Sequence, residues 1–210
     1  MDLEIRPTRV TDLPQLERMC WGGGEDEMRR RIERDGTCSI IALDEGRPVA
    51  QLYLRAYEPG YRCPRGVHSG EFWADLKGVE GELELPERLA MLGCWHVGRV
   101  RESDGSEREA EEYRARGVGI ALAHGAVEWL RRPDTPFDAI GVKAGASDDR
   151  AYLGLVGVLS RTMLEPEGFR VALSYDDPYF LAERDFLPDH IQVENPARFH
   201  FMVCEKHQKS

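Results

Sequence analysis

The chain has 210 residues and a mass of 23.9 kDa, and its 28 basic and 38 acidic residues give a formal net charge of −10. This length suits one domain with a substantial core, and a hydrophobic share of 41% excludes a disordered protein. The negative charge disfavours non-specific binding to nucleic acid or anionic lipid, and it favours a cationic partner or substrate.

The first quarter of the chain has clear element signals. Alternation before Pro7 predicts a strand, and a charged segment closed by Asp35 and Gly36 predicts a helix. Two β-rich segments around a turn are typical of a hairpin. In chain order, the predicted elements are a strand at 3–6, a helix from about 13 to 21, a helix at 25–34, and strands at 38–43 and 48–57.

The middle of the chain is harder to interpret. Periodicity weakens between residues 58 and 88, although Glu82 to Leu85 alternates like a strand. A structureless connection of this length is unusual, so we expect it to be functional or to contain a small element. The apolar stretch at 89–100 predicts a strand buried on both faces, and the acidic segment at 101–111 predicts an exposed loop.

The clearest helix is predicted at 117–132, with an apolar stripe and a polar stripe that includes His124. The remaining predicted elements are a strand at 137–142, a helix at 152–164, and strands at 169–175 and 200–204. This order of elements predicts an α/β (α+β) protein.

The cysteines and the chain termini bear on location. The five cysteines are scattered, odd in number and free of C-x-x-C pairs, which favours reduced thiols. The N-terminus lacks signal-peptide features, and no apolar run approaches the length of about 18 residues that a membrane span needs. We therefore expect a cytoplasmic protein that does not bind membranes.

One segment carries recognisable binding chemistry, at the start of the clearest helix. Gly117 and Gly119 allow a ligand to approach the backbone, and the first amides of a helix attract an anion. Arg114 and Arg116 add cationic donors. The P-loop and Rossmann spacings are both missing, and Leu122 stands where the latter needs its third glycine. The segment predicts an anion site, although two glycines at a helix start can also be purely structural.

The pattern R-x-x-G-x-G, formed by Arg114, Gly117 and Gly119 between a buried strand and a helix, resembles the pyrophosphate-binding motif of the GNAT superfamily of N-acetyltransferases. The segment from Ile5 to Leu16 is similar to that family's first strand and helix. The late segment from Leu164 to Phe169 resembles a further signature. The resemblance covers about residues 2–175 in the family's order of elements.

The resemblance implies one acyl-CoA N-acyltransferase domain over residues 1–210, with acetyl-CoA as co-substrate. Its fold would be a mixed sheet of about seven strands, splayed between the fourth and fifth strands and flanked by helices. The domain would comprise a pyrophosphate-binding loop and helix at 112–132, an inserted connection at 58–88 and a C-terminal arm at 175–210. The implied cofactor contacts are Val97, Gly98, Val100, Arg114, Ala115, Arg116, Gly117, Val118 and Gly119.

The sequence departs from the family at the general acid, because Leu164 stands at the position of its usual tyrosine and Gly157 at that of its common asparagine. Tyr152, Tyr175 or solvent could supply the proton instead. The candidate general base is His96, because it lies on the strand expected to border the cleft and histidine is the residue type whose ordinary pKa is near neutrality.

The carboxylate alternatives to His96 are Glu82 and Glu84, which would share one face of a strand. A buried structural histidine and a solvated strand edge are the competing interpretations of these residues. Cys94 has no neighbour that would lower its pKa, so we expect a core thiol. His200, Cys204 and His207 have residue types that can bind zinc, but Cys204 and His207 would face opposite sides of a strand, so we expect no metal site.

The expected function is transfer of an acetyl group to a primary amine of a small cationic metabolite. The alternatives are a CoA-binding sensor or interaction module with little catalysis, and an acetyltransferase of protein N-termini or lysines. The connections at 58–88 and 175–199 would shape the acceptor pocket, and a terminal strand at 199–204 could pair across a homodimer.

Overall fold

The computed structural model describes residues 2–16, 24–58, 83–101, 107–177, 180 and 187–206. The strands in this part of the chain are β1 (Glu4–Pro7), β2 (Ser39–Asp44), β3 (Arg47–Ala56), β4 (Leu89–Val97), β5 (Arg99–Arg101), β6 (Glu107–Glu109), β7 (Ala139–Gly145), β8 (Arg170–Asp176) and β9 (Arg198–Glu205). The α-helices are α1 (Leu13–Leu16), α2 (Glu25–Asp35), α3 (Val118–Leu130), α4 (Arg150–Val156) and α5 (Arg161–Leu164).

A mixed sheet of seven strands forms the centre, in the order β1-β2-β3-β4-β7-β9-β8. Its neighbouring strands are antiparallel except for β4 and β7, which are parallel. These two are the fourth and fifth strands of the sheet along the chain. The predicted mixed sheet flanked by helices is therefore confirmed.

The parallel pair separates halfway along its length. β4 and β7 pair only from Leu89 to Leu92 and from Ala139 to Val142. Beyond this point β4 continues beside β3, and β7 continues beside β9 up to Gly145. The sheet consequently opens between β4 and β7, as the resemblance implied.

Helix α3 covers one face of the sheet, where its apolar stripe is buried against Ile40, Ile140 and Val142. The helix approaches so closely at Gly125 that a β-carbon there would lie 2.6 Å from Ile5 Cγ2. Each fully buried side chain of this stripe, such as Leu122, contributes about 1.5–3 kcal/mol by leaving water. This packing fixes the start of α3 relative to the sheet.

Two groups of helices pack on the face of the sheet opposite α3. Helices α1 and α2 lie over the first strands, where Leu16 packs against Ile41. α4 contributes Tyr152 and Leu153 to a second core that includes Phe199 on β9. The helices α2 and α3 agree closely with the predicted ones.

The predicted helix at 152–164 is wrong, because the structure has two short helices there. The carboxylate of Asp149 accepts a hydrogen bond from Tyr152 N at 2.8 Å and begins α4. Gly157 ends it with a left-handed φ of 65°, a conformation that side-chain-bearing residues rarely adopt. The chain then turns before α5.

The predicted strand at 89–100 and loop at 101–111 are wrong in detail. Gly98 interrupts the strand with a φ of 78°, and a β-carbon there would lie 2.5 Å from Ala110 O. β5 and β6 then pair as a hairpin, with 102–106 outside the described residues. Residues 83–86 are irregular rather than a strand, and Glu82 lies outside the described part.

The prediction that a terminal strand at 199–204 could pair across a homodimer is also wrong, because this strand does not lie at an edge of the sheet. β9 pairs with β7 on one side and with β8 on the other, so it has no edge to offer a second copy.

No helix among the described residues is long and apolar enough to cross a membrane. Cys38 and Cys204 are buried free thiols, and burial raises the pKa of Cys38 to about 11.

Candidate functional site

Three elements meet where the sheet opens. Trp95 and Val97 on β4 pack towards the α3 face, together with Leu159 from the segment after α4. This segment is tied to the end of β7, because Gly145 N donates a hydrogen bond to Leu159 O at 2.9 Å. A β-carbon on Gly119 would lie 3.3 Å from Leu159 Cδ2 and 4.0 Å from Trp95 Cε3. The start of α3 therefore lies at the opening.

β4 carries a bulge at the same place. Leu52 pairs with Trp95 and Tyr53 pairs with Gly93, so β4 has one residue more than β3 between these pairs. A bulge leaves a backbone position outside the ladder and bends the strand. It follows directly after Leu92, the last residue of β4 that pairs with β7. Backbone amides at such a position suit the binding of a developing oxyanion.

The first turn of α3 has the features of an anion site. The helix begins after Gly117, whose φ is 78°, and its first internal bond runs from Ala121 N to Gly117 O at 2.9 Å. The amides of residues 118–120 therefore have no acceptor inside the helix. The first turn contains no acidic side chain, and no described carboxylate forms an ion pair with the exposed Arg116. Ala115 also has a positive φ, of 54°.

Arg114 is held by two carboxylates next to this turn. Its guanidinium forms ion pairs with Glu109 at 2.9 Å and with Glu111 at 2.7 Å. Its Nε also lies 3.5 Å from Val97 O, at the end of β4. Sequence reasoning missed these carboxylates, because the segment was predicted as a loop and not as a hairpin returning to Arg114.

The loop before α3 is anchored at both ends. The Tyr113 hydroxyl donates a hydrogen bond to Asp44 Oδ2, 2.5 Å away at the end of β2. This bond, together with burial, raises the pKa of Tyr113 to about 12. Gly98 O accepts from Ala110 N at 2.6 Å, and Gly98 N donates to Val49 O at 2.9 Å. The hairpin and the anion site are thus fixed to the sheet.

The three proposed catalytic residues lie in different surroundings. His96 is half-buried on β4 at the opening, between Trp95 and Val97. The buried Tyr152 hydroxyl donates to Pro196 O at 2.6 Å, and burial raises the pKa of this tyrosine, which favours a structural role. Glu84 is exposed in an irregular segment. Of these three residues, only His96 lies on β4, the strand that borders the opening.

The position of the family's usual tyrosine is filled by a core residue. Leu164 is fully buried in the cluster beneath α3. The other tyrosine considered from the sequence, Tyr175, is also buried, and burial raises its pKa. A leucine side chain can neither donate nor accept a proton.

No protein family matches the sequence, and a search of curated proteins gives no significant match. The structure is similar along nearly its whole length to several solved structures. The acetyltransferase of GNAT family from Streptococcus pneumoniae is 11% identical, with a TM-score of 0.48 over 97% of this chain and 99% of that chain. The ribosomal-protein-S18-alanine N-acetyltransferase from Escherichia coli is 12% identical, with a TM-score of 0.46 over 100% and 97%.

The loading GNATL domain of CurA from Lyngbya majuscula is 12% identical, with a TM-score of 0.49 over 98% of both chains. At these low identities and TM-scores, the strand order and registers given above are what establish the fold of this chain.

Proposed function

We propose that this protein is a cytoplasmic GNAT-type N-acetyltransferase that moves the acetyl group of acetyl-CoA to a primary amine of a small cationic molecule. The observation that carries the proposal is the opening between β4 and β7, with the glycine-flanked start of α3 at its mouth. The motif of Arg114, Gly117 and Gly119 supplies the chemistry for a pyrophosphate at that mouth.

The residues present fit the co-substrate. The amides at 118–120 together with Arg114, Ala115 and Arg116 would hold the pyrophosphate, because they combine backbone donors with positive charge. The end of β4 at Val97 and Gly98, continuing into β5 at Val100, would meet the pantetheine arm through backbone groups. When bound, acetyl-CoA supplies an activated acetyl thioester.

The chain itself would provide the base and the oxyanion donors. His96 would accept the proton of the attacking ammonium, since it is the titratable candidate beside the opening. Backbone amides at the β4 bulge would stabilise the developing negative charge. Because Tyr152 is committed to Pro196 and Leu164 is apolar, the leaving thiolate would take its proton from solvent.

A second candidate is a CoA-binding module that has lost catalysis. Two observations favour it: the core leucine at Leu164, and the two carboxylates that already neutralise Arg114. Such a module would bind acetyl-CoA but would not release its thiol.

The test combines calorimetric titration of acetyl-CoA with thiol release, using polyamines, aminoglycosides, amino acids and basic peptides as acceptors. The proposal expects binding, together with thiol release on at least one cationic small amine. Binding without release on any acceptor supports the module, and release only with peptides supports a protein acetyltransferase. If acetyl-CoA does not bind at all, both candidates are wrong.

A matched pair of variants at Gly119 separates the site from the fold. Gly119→Ala adds a β-carbon 3.3 Å from a flexible leucine tip, so we expect a folded protein that still binds. Gly119→Glu places a carboxylate where the pyrophosphate would lie, and we expect acetyl-CoA affinity to fall at least about 100-fold. Unchanged affinity in the glutamate variant would refute the assignment of the anion site.

A further inference from the structure

A buried chain of polar side chains runs under the sheet on the face opposite α3. Thr8 Oγ1 and Ser39 Oγ lie 2.5 Å apart, and Gln51 Nε2 donates a hydrogen bond to Ser39 Oγ at 2.8 Å. All three side chains are buried, with Ser39 and Gln51 at 0% exposure. The chain starts beyond β1 and reaches β3, one strand from the opening.

The amide nitrogen of Gln51 fixes where its oxygen points. Ser39 is on β2, which neighbours β3 on one side, while β4 neighbours it on the other. Because the nitrogen is bound towards β2, the oxygen at the other end of the planar amide is directed away from β2. Within the described part of the protein, Gln51 Oε1 is buried without a hydrogen-bond partner. Leaving such an acceptor unpaired in the interior is unfavourable, because the desolvation of the oxygen is not compensated.

His96 stands directly opposite Gln51 across the strand pair. Both residues face away from α3, because Trp95 and Val97 on one strand and Ala50 and Leu52 on the other pack towards that helix. The β-carbons of directly opposed residues lie about 4.5–5.5 Å apart, so the two side chains can reach each other. A histidine ring N–H is the donor that the amide oxygen lacks.

We propose that Gln51 is a positioning residue: a rotation of the His96 side chain brings one of its ring N–H groups to donate to Gln51 Oε1, a bond that the two side chains do not form in this structure. This bond would fix the tautomer of His96 and leave its second ring nitrogen unprotonated for the acceptor ammonium. The catalytic part of this inference rests on the proposed function, whereas the bond itself does not. In this arrangement Thr8 and Ser39 orient the amide of Gln51, and Gln51 in turn orients His96. His96 then accepts the proton of the reacting amine.

The experiment measures the bond and its effect separately. In protein labelled with nitrogen-15 at histidine, a hydrogen-bonded ring N–H of His96 gives a slowly exchanging proton resonance, assigned by its loss in His96→Gln. Gln51→Met keeps the length of the side chain without a strong acceptor, so we expect this resonance to disappear. We also expect kcat to fall about 10-fold or more, with the KM for acetyl-CoA unchanged.

Two further variants control the result. Gln51→Glu keeps an acceptor at the same place, so it should retain the resonance. Thr135→Val removes a buried hydroxyl that donates to Trp129 O at 2.6 Å, and it should lower stability without changing the resonance. This comparison separates a general loss of stability from the loss of the Gln51 bond.

Each outcome decides one part of the inference. A wild-type protein without a protected His96 N–H overturns the bond, even if the methionine variant does not fold. A lost resonance with unchanged kcat overturns the positioning role alone. If wild-type protein turns over no acceptor, the proposed function fails, while the resonance still tests the bond.

Discussion

Tyr113 connects the anion site to the sheet through a single hydroxyl, which donates to Asp44 Oδ2 at 2.5 Å. The pKa of this tyrosine is raised from 10 to about 12 by that bond, aided by burial. A raised pKa means that the folded state favours the neutral hydroxyl. Its stabilising contribution is complete below the unfolded pKa and is lost as pH rises through the folded one.

We therefore predict that Tyr113→Phe lowers the free energy of unfolding by about 1–2 kcal/mol near neutral pH, because one hydrogen bond to a carboxylate is lost. The difference in the free energy of unfolding between wild type and variant should be smaller at about pH 11 than at about pH 8. Urea unfolding at both pH values measures it. An unchanged gap would mean that this hydroxyl is not what couples folding to pH.

Lys143 and Asp177 form a buried ion pair that was not predicted from the sequence. Lys143 Nζ donates to Asp177 Oδ2 inside the second core and lies 4.2 Å from the ring centroid of Phe199. Burial lowers the pKa of Lys143, although the charge of Asp177 acts in the opposite direction. The two residues lie far apart in sequence, on β7 and just after β8, and a lysine within a predicted strand gives no sign of its partner.

Removing one partner of this pair should cost more than removing both. We predict that Lys143→Met lowers the free energy of unfolding by about 3–5 kcal/mol, because the Asp177 carboxylate stays buried and loses its ion pair with Lys143. Adding Asp177→Leu should recover part of this loss. A double-mutant cycle by urea unfolding measures the coupling, and strictly additive effects would contradict a direct interaction.

At the scale of elements, the hairpin of β5 and β6 controls the charge at the anion site. Glu109 lies in β6 and Glu111 follows two residues later. They form ion pairs with the two terminal nitrogens of the Arg114 guanidinium, and the Arg114 side chain is 40% exposed. A pyrophosphate would have to compete with these carboxylates for the arginine. We therefore expect the hairpin to weaken the binding of a pyrophosphate at the start of α3.

We predict that Glu109→Gln and Glu111→Gln each tighten acetyl-CoA binding about 2- to 5-fold, since partly exposed ion pairs are worth about 0.2–1 kcal/mol. Glu128→Gln is the matched control, because Glu128 pairs with Arg131 at the far end of α3. Calorimetry gives all three affinities. Weaker binding in the first two variants would show instead that the carboxylates hold Arg114 in its binding position.

The elements that local signals define were predictable, and those that depend on distant partners were not. α2 was found because its charged face ends at Gly36, which adopts φ 83°. β6 has only three residues and is ordered by pairing with β5. No periodicity marks such a strand. The start of α3 was predictable because the glycines that mark it lie within one turn of the helix.

For the whole molecule, the net charge of −10 and the anion site act in opposite directions. The field of the chain would repel the polyanionic co-substrate of the proposed function at long range, whereas the start of α3 would attract it locally. A cationic amine is attracted by the overall field. Binding of the proposed co-substrate and of the proposed amine acceptor should therefore respond differently to salt.

We predict that raising ionic strength from about 0.05 M to about 0.3 M lowers kcat/KM for the best diamine acceptor about 3- to 10-fold, since screening removes long-range attraction. The matched control is the amino acid of the same chain length, in which a carboxylate replaces the second amine. Its net charge is zero, so its kcat/KM should change by less than about 2-fold. Thiol release at saturating acetyl-CoA measures both. Equal responses of the two acceptors would show that the acidic surface plays no part in acceptor capture, and that recognition of the amine is confined to the pocket itself.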